Sequence, residues 1–135
     1  MTKSALRCTS RTKMRSRNTL EAFRCAFSGL WYTLRTQRNM RFHLTIASMV
    51  IILGVWLELA AEQWALLALT SGLVLVSEMT NTVIEKLVDL VCPQYHPLAK
   101  IVKDVMAGAV VVAAMVAVIV GLLVLGPPLW HKLTG

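Results

Sequence analysis

The amino-acid sequence predicts an all-α membrane protein with an N-terminal amphipathic surface helix and three transmembrane helices. The chain has 135 residues and is 56% hydrophobic, which is high for a soluble domain, and the apolar residues are concentrated in three long stretches. The positive charges are distributed unevenly, because ten of the fourteen Lys and Arg residues precede residue 42. A helix that crosses a bilayer needs about 20 apolar residues. The three stretches approach or exceed that length.

The segment before the first apolar stretch has two parts. Residues 1–17 are rich in Arg and Ser and contain no acidic residue. This composition resembles a transit peptide, but it is equally that of a basic flank before a membrane span, and we expect a disordered flank. Residues 18–40 repeat apolar side chains at i, i+3 and i+4 with arginines between them, which predicts a helix lying in the membrane interface.

Three transmembrane helices are predicted at 42–60, 63–91 and 97–125, followed by a short tail at 127–135. The third apolar run ends at Gly126-Pro127-Pro128. The second span reaches the required length only if Glu78 lies inside the membrane or close to its edge. The stretch CPQYHP at 92–97 separates the second span from the third, since proline interrupts helices.

The distribution of Lys and Arg also predicts the orientation of the chain. The turn after the first span has no basic residue, whereas Lys86, Lys100 and Lys103 flank the turn after the second. Because cytoplasmic segments are enriched in Lys and Arg, the N-terminus and residues 86–104 are predicted to be cytoplasmic and the C-terminus to lie outside. The sequence pI of about 9.9 is explained by attraction to anionic lipid headgroups, so no nucleic-acid partner is expected.

Four polar residues of the second span form one stripe: Glu78, Asn81, Glu85 and Asp89. Their spacing of i, i+3, i+7 and i+11 places them within about 80° on a helix. Counting from Trp64 at the outer interface, Glu78 lies about 21 Å deep and Glu85 about 31 Å deep, against a hydrocarbon core of about 30 Å. For Asp89 a solvated surface position explains the residue equally well, whereas a carboxylate at membrane depth usually serves a function.

The start of the third span supplies charges at the same height. Lys100, Lys103 and Asp104 share one face, and Ala107-Gly108-Ala109 provides small residues for close helix approach. Lys100 is explained by anchoring at the interface. This arrangement suits phosphoryl transfer to a hydroxyl at the membrane surface. The deep carboxylate would take a proton, the second carboxylate would bind Mg²⁺, and a lysine would neutralise phosphate charge.

The stretches EMTNTVIEKLVD (78–89) and HPLAKIVKDVMAGAVVVAA (96–114) resemble the small prokaryotic membrane kinases that include diacylglycerol kinase and undecaprenol kinase. The resemblance covers about residues 18–126. It implies a homotrimer in the bacterial cytoplasmic membrane, with active sites shared between neighbouring subunits. It also implies ATP as co-substrate, Mg²⁺ as cofactor and a lipid alcohol as substrate, either diacylglycerol or a polyprenol. The residues of the motifs resemble those of the polyprenol kinases more than those of the diacylglycerol kinases, but the sequence does not identify the lipid substrate.

The resemblance assigns a role to each motif residue. Glu78 corresponds to the general base and Asn81 to the residue that supports it. Glu85 corresponds to a metal-binding carboxylate. The nucleotide-binding positions are Lys103, which touches the phosphates of ATP, together with Asp104, Asp89 and His96.

One position departs from the family pattern. Where the family carries a second metal-binding Glu, just before the first span, this chain has Gln37. An amide oxygen can bind Mg²⁺, but without charge. The alternative hypothesis is therefore a catalytically weak or inactive member that acts as a membrane assembly or regulatory protein. A third hypothesis, a transporter with Glu78 as a proton relay, is disfavoured because three short spans leave little room for a pathway.

Overall fold

The computed structural model describes residues 19–135 and contains four α-helices, with no strand in that range. The helices are α1 (Thr19–Thr36), α2 (Arg38–Trp56), α3 (Ala61–Val91) and α4 (Pro97–Thr134). Helices α2, α3 and α4 are each long and apolar enough to cross a membrane. The prediction of an all-α chain with three apolar helices is confirmed. The predicted basic flank at 1–17 lies outside the described residues.

The chain divides into two compact units, one ending at Arg38 and the other comprising Asn39–Gly135. In the first unit, the guanidinium carbon of Arg35 lies 4.8 Å from the centroid of the Trp31 ring, one turn earlier on α1. Such a cation–π contact holds the charge beside an apolar body. Gln37 separates α1 from α2. The location of α1 at a membrane surface stays a prediction.

The second unit begins with a helical hairpin whose turn closes the end of α2. The Leu59 N–H donates to the Gly54 carbonyl at 3.2 Å, and the Glu58 N–H donates to the Val55 carbonyl at 3.2 Å. These two bonds are those of a Schellman motif, in which the residue after the helix adopts the left-handed conformation. Glu58 has φ of 55° and occupies that position, where glycine is usual. The turn therefore satisfies the last carbonyls of α2 and directs the chain into α3.

The close approach of Trp64 to the end of α2 depends on a glycine next to this turn. A Cβ atom added to Gly54 would lie 2.8 Å from the Trp64 ring and 3.1 Å from Leu59 Cδ1. Non-bonded carbon atoms are optimally separated by about 3.5–4.0 Å, so no larger residue fits without movement. Gly54 therefore lets the Trp64 ring lie directly on the α2 backbone.

Helix α4 continues beyond its predicted end. The sequence predicts that the third span ends at residue 125, but Pro127 and Pro128 lie inside the helix, which ends at Thr134. Proline removes a backbone donor, so the carbonyl four residues earlier loses its usual partner. For Pro128 that carbonyl belongs to Val124, and it accepts a hydrogen bond from Gln63 Nε2 at 3.5 Å. A side chain of α3 thus replaces the bond that proline cannot make.

The last turn of α4 contacts the end of α2. Lys132 Nζ donates to the Trp56 carbonyl at 2.6 Å and lies 4.9 Å from the centroid of the same residue's ring. The carbonyls at a helix C-terminus lack intrahelical partners and carry partial negative charge, so an ammonium group stabilises them. This contact gives the continued helix a partner at its end.

The buried face of α3 changes from apolar to polar along its length. Leu67 and Val74 are buried in the half that follows the α2–α3 turn, and Glu78, Asn81 and Thr82 are buried farther along. On α4 the buried residues Val110, Ala113 and Val124 are all apolar. The buried carboxylate therefore belongs to α3.

We expect Gly54→Ala to destabilise the protein, because the added methyl group would meet the Trp64 ring and the backbone cannot withdraw without opening the hairpin. The matched control is Gly121→Ala, where an added Cβ meets nothing within 4 Å. The control should be neutral or stabilising by up to about 1 kcal/mol, the helix preference of Ala over Gly. Thermal unfolding in detergent micelles measures the difference. Equal midpoints for the two variants would contradict the packing role of Gly54.

Candidate active site

The predicted general base is a buried carboxylate on the inner face of α3. The Glu78 residue is 3% exposed and Asn81 is 8% exposed. Within the described part of the chain, neither Glu78 Oε1 nor Asn81 Oδ1 has a hydrogen-bond partner. Buried polar atoms are nearly always paired, so two neighbouring unpaired acceptors require a specific explanation. A ligand that supplies a donor would satisfy them.

Asn81 contacts a different carboxylate from the one expected. Its Nδ2 donates to Glu85 Oε1 at 3.0 Å, one turn farther along α3. The Thr82 hydroxyl donates to the backbone carbonyl of Glu78 at 2.9 Å and leaves the side chain of that residue untouched. Asn81 and Glu85 are therefore coupled on one face of the helix, as their spacing predicted. Support of the Glu78 carboxylate by Asn81 stays a prediction.

A histidine that the sequence reasoning passed over lies next to the buried carboxylate. His43 Nε2 of α2 is 3.4 Å from Glu78 Oε1, and the His43 side chain is 18% exposed. The two atoms are within ion-pair distance, although they do not form a hydrogen bond. The three histidines of the chain form no ligand cluster in the sequence, so their spacing does not single out His43.

A signal for this contact was present in the spacing around the hairpin. His43 precedes Gly54 by 11 residues and Glu78 follows Trp64 by 14, which correspond to about 16 Å and 21 Å along their helices. Helical side chains lean toward the N-terminus of their own helix. His43 therefore leans away from the turn and Glu78 leans toward it, so the two side chains meet.

A second cluster of predicted site residues lines a pocket where α3 ends and α4 begins. The pocket has a volume of about 300 Å³. Its lining includes all four predicted nucleotide-binding residues, namely Asp89, His96, Lys103 and Asp104. Lys100, Tyr95 and Cys92 also line it. The structure thus brings together side chains that the sequence separates by up to 15 positions.

Each lysine of the pocket has an acidic partner. Lys103 Nζ donates to Asp89 Oδ1 at 2.6 Å and so joins the two helices, while Lys100 Nζ lies 3.3 Å from Asp104 Oδ2 on α4. His96 is the N-cap of α4, and its Nδ1 accepts a hydrogen bond from the Leu98 N–H at 3.2 Å. That bond fixes the ring at the rim of the pocket.

Glu85 is the predicted carboxylate ligand of a metal ion, and the side chains around it show how complete such a site is. No group of three or more His, Cys, Asp and Glu side chains that could hold a metal ion occurs within residues 19–135. Glu85 is partly exposed, and one of its oxygens accepts the Asn81 amide. Mg²⁺ is commonly held by one or two carboxylates together with substrate phosphates. The residues fit such an incomplete site. Gln37 belongs to the first compact unit, and its role stays a prediction.

Comparison with known proteins identifies the family. Residues 24–125 match the family model described as prokaryotic diacylglycerol kinase. The chain belongs to this family. The match includes the hairpin, the buried face of α3 and the whole pocket, so the two clusters lie within the residues that match the family model.

Three relatives illustrate the similarity. A diacylglycerol kinase of Synechocystis is 50% identical over 83% of this chain, which spans 65% of that relative's length. An undecaprenol kinase of Bacillus subtilis is 43% identical over 84% of this chain and 95% of its own length. A diacylglycerol kinase of Escherichia coli is 35% identical over 53% of this chain and 58% of its own length. The relatives are therefore named for two different lipid substrates.

We expect Lys103→Met to leave the thermal stability of the protein nearly unchanged. The side chains of Lys103 and Asp89 are 38% and 55% exposed, and ion pairs in water contribute little because solvation and side-chain entropy offset the attraction. Thermal unfolding in detergent micelles tests this, with Lys86→Met as a control for the loss of one positive charge. A large drop in the midpoint for Lys103→Met alone would mean that this pair holds α3 and α4 together.

Proposed function

We propose that the protein is an ATP- and Mg²⁺-dependent lipid kinase of the bacterial inner membrane. It transfers the γ-phosphate of ATP to the primary hydroxyl of a lipid alcohol, either diacylglycerol or undecaprenol. The alcohol oxygen bonds to the γ-phosphorus, the bond from that phosphorus to the bridging oxygen of ADP breaks, and the hydroxyl proton moves to the Glu78 carboxylate.

The observation that carries this proposal is the burial of the Glu78 carboxylate on the inner face of α3. A carboxylate that is 3% exposed on an apolar helix is costly unless a partner satisfies it. The hydroxyl of a lipid alcohol is a suitable partner, because it donates one hydrogen bond and can approach from the membrane. The same hydrogen bond places the proton where a general base must reach it.

The pocket supports a nucleotide site. Lys103 uses one N–H on Asp89, and an ammonium group has three, so two donors remain for phosphate oxygens. The pocket lies at the turn that the distribution of lysines predicts to be cytoplasmic, which is the side on which ATP is available. Topology and pocket chemistry therefore support the same assignment, with Lys103, Asp104, Asp89 and His96 as nucleotide-binding residues.

The charges of the pocket support a need for Mg²⁺. Lys100 and Lys103 are balanced by Asp89 and Asp104, so the pocket offers a triphosphate no net positive charge of its own. Glu85 would hold the metal ion, with the Gln37 amide oxygen as the second candidate ligand. When bound, Mg²⁺ would neutralise charge on the phosphates.

A second function rests on Gln37. If a carboxylate at that position is required for metal binding, this chain binds Mg²⁺ weakly and serves as an assembly or regulatory protein of the membrane. The nucleotide pocket would persist in such a protein, so nucleotide binding alone does not separate the two functions. Lipid phosphorylation does.

The first experiment measures transfer of labelled γ-phosphate from ATP to diacylglycerol and to undecaprenol, offered side by side to the purified protein in mixed micelles. We expect label in at least one lipid and its loss in Glu78→Gln, because the amide cannot accept the proton. Glu62→Gln is the matched control, since Glu62 is an exposed glutamate in the first turn of α3. Full activity in Glu78→Gln would refute the assignment of the base.

The second experiment separates an impaired enzyme from a non-catalytic protein. We expect Gln37→Glu to increase turnover at limiting Mg²⁺, because an anionic ligand binds the metal ion more tightly than an amide. Activity in Gln37→Glu without activity in the native chain would favour the regulatory function. Absence of lipid phosphorylation in the two proteins would reject the kinase proposal for this chain.

A further inference from the structure

We propose that His43 is a positioning residue for Glu78, whose carboxylate it orients by donating a hydrogen bond from Nε2 to Oε1. The inference rests on the proposed function of Glu78 as the base, and it adds a residue of α2 to a site otherwise built from α3 and α4. The chemistry of the transfer step is unchanged, because His43 neither gives nor takes a proton during it.

The first support is the distance. Nε2 lies 3.4 Å from Oε1, so a shortening of a few tenths of an ångström would bring the pair to the usual N–H···O distance. Catalytic hydrogen bonds often tighten in this way when a substrate is held against the site.

The second support is the electrostatics of burial. Glu78 Oε1 has no other partner among the residues described, and a buried carboxylate without a donor is strongly disfavoured. A bare nitrogen lone pair at 3.4 Å would add repulsion between two acceptors, so Nε2 carries the proton. Within residues 19–135, the imidazole of His43 is the basic side chain at ion-pair distance from Oε1, and it can supply this donor.

The third support is a division of the carboxylate oxygens. With Oε1 held by His43, Oε2 is left to accept the proton of the lipid hydroxyl. If the lipid hydroxyl made the single hydrogen bond to Glu78, the carboxylate could rotate and Oε2 could move. A misplacement of the reacting oxygen by about 1 Å can lower the rate about 100-fold. Attachment through a second helix removes that freedom.

The register of the hairpin makes the contact specific. The Trp64 ring lies on Gly54, and this packing fixes how far α2 is displaced along α3. A shift by one residue would move His43 by about 1.5 Å along the axis and rotate it by about 100°, which would break the contact. Gly54 and Trp64 thus determine the position of His43 from the other end of the hairpin.

The test measures kinetics of the full-length protein and of three variants. We expect His43→Leu to lower kcat about 10- to 100-fold with little change in KM for ATP, because the pocket is untouched. His43→Gln places an amide N–H near the position of Nε2 and should recover about tenfold over His43→Leu. His131→Leu, the loss of an exposed histidine in the last turn of α4, should leave kcat unchanged.

Unchanged kcat in His43→Leu overturns the proposal, and so does equal loss in His43→Leu and His43→Gln. A second readout does not depend on activity. In the ¹⁵N spectrum of histidine-labelled protein in micelles, we expect His43 to be the tautomer protonated at Nε2 and its Nε2 signal to shift in Glu78→Gln. An identical His43 spectrum in that variant, or protonation at Nδ1 alone, refutes the contact. An inactive native protein with the expected spectrum would reject the kinase function and leave the contact standing.

Discussion

The structure depends on one constraint, the burial of a carboxylate on a helix that is apolar enough to cross a membrane. Glu78 is buried on the same face of α3 as Leu67 and Val74. A charged group in such surroundings must be compensated by donors, because water is excluded and the dielectric constant is low. Within residues 19–135, few such donors lie near Glu78. They are the imidazole of His43 on α2 and the amide of Asn81, which already donates to Glu85. The position is therefore suited to a substrate that brings its own hydroxyl.

The contacts at the α2–α3 turn differ in kind from those at the α3–α4 turn. At the α2–α3 turn the ring of Trp64 lies against the α2 backbone, and Lys132 donates to the carbonyl of Trp56, the last residue of that helix. At the α3–α4 turn the contacts are ion pairs between exposed side chains, which exchange easily with solvent and with ligands. Functional surfaces are commonly found in the less stable parts of a fold. The closely packed end fixes the register of the helices, and the polar end remains free to bind.

The parts of this architecture that sequence could predict are those governed by a single helix. Hydropathy gave the three apolar helices, and the 100° rotation per residue placed Asn81 and Glu85 on one face, as their hydrogen bond now shows. The four pocket residues came together because a short turn must bring the end of α3 beside the start of α4. Their roles, the trimer and the orientation in the membrane stay predictions.

Features that depend on contacts between helices were missed. The third span was predicted to end at residue 125, just before Gly126-Pro127-Pro128, yet the helix continues, and Gln63, 61 positions before Val124, supplies a donor in place of one that the prolines lack. His43 was passed over because its proximity to Glu78 depends on the offset between α2 and α3, which Gly54 and Trp64 set. Periodicity within one helix contains no information about that offset. Asn81 was expected to support Glu78 but donates to Glu85, since i+4 and i−3 neighbours on one helix are equally within reach.

Under the proposed function, the residues around Glu78 and those of the pocket must act together, and their separation is set by the length of α3 between them. Asp89 follows Glu78 by 11 residues, or about 16 Å along α3. Reaction requires the alcohol oxygen and the phosphorus to approach within about 3–3.5 Å, so neither cluster alone can hold both reactants. A nucleotide bound in the pocket must extend its phosphates along α3 toward Glu85, and the lipid hydroxyl must reach Glu78 from the membrane. Glu85 lies between the two, hydrogen-bonded to Asn81 on the side of the base and one turn from Asp89 on the side of the pocket. The coupling of Asn81 to Glu85 therefore connects the site of proton removal to the site of phosphate binding, and the spacing of four residues on one helix face sets where they meet.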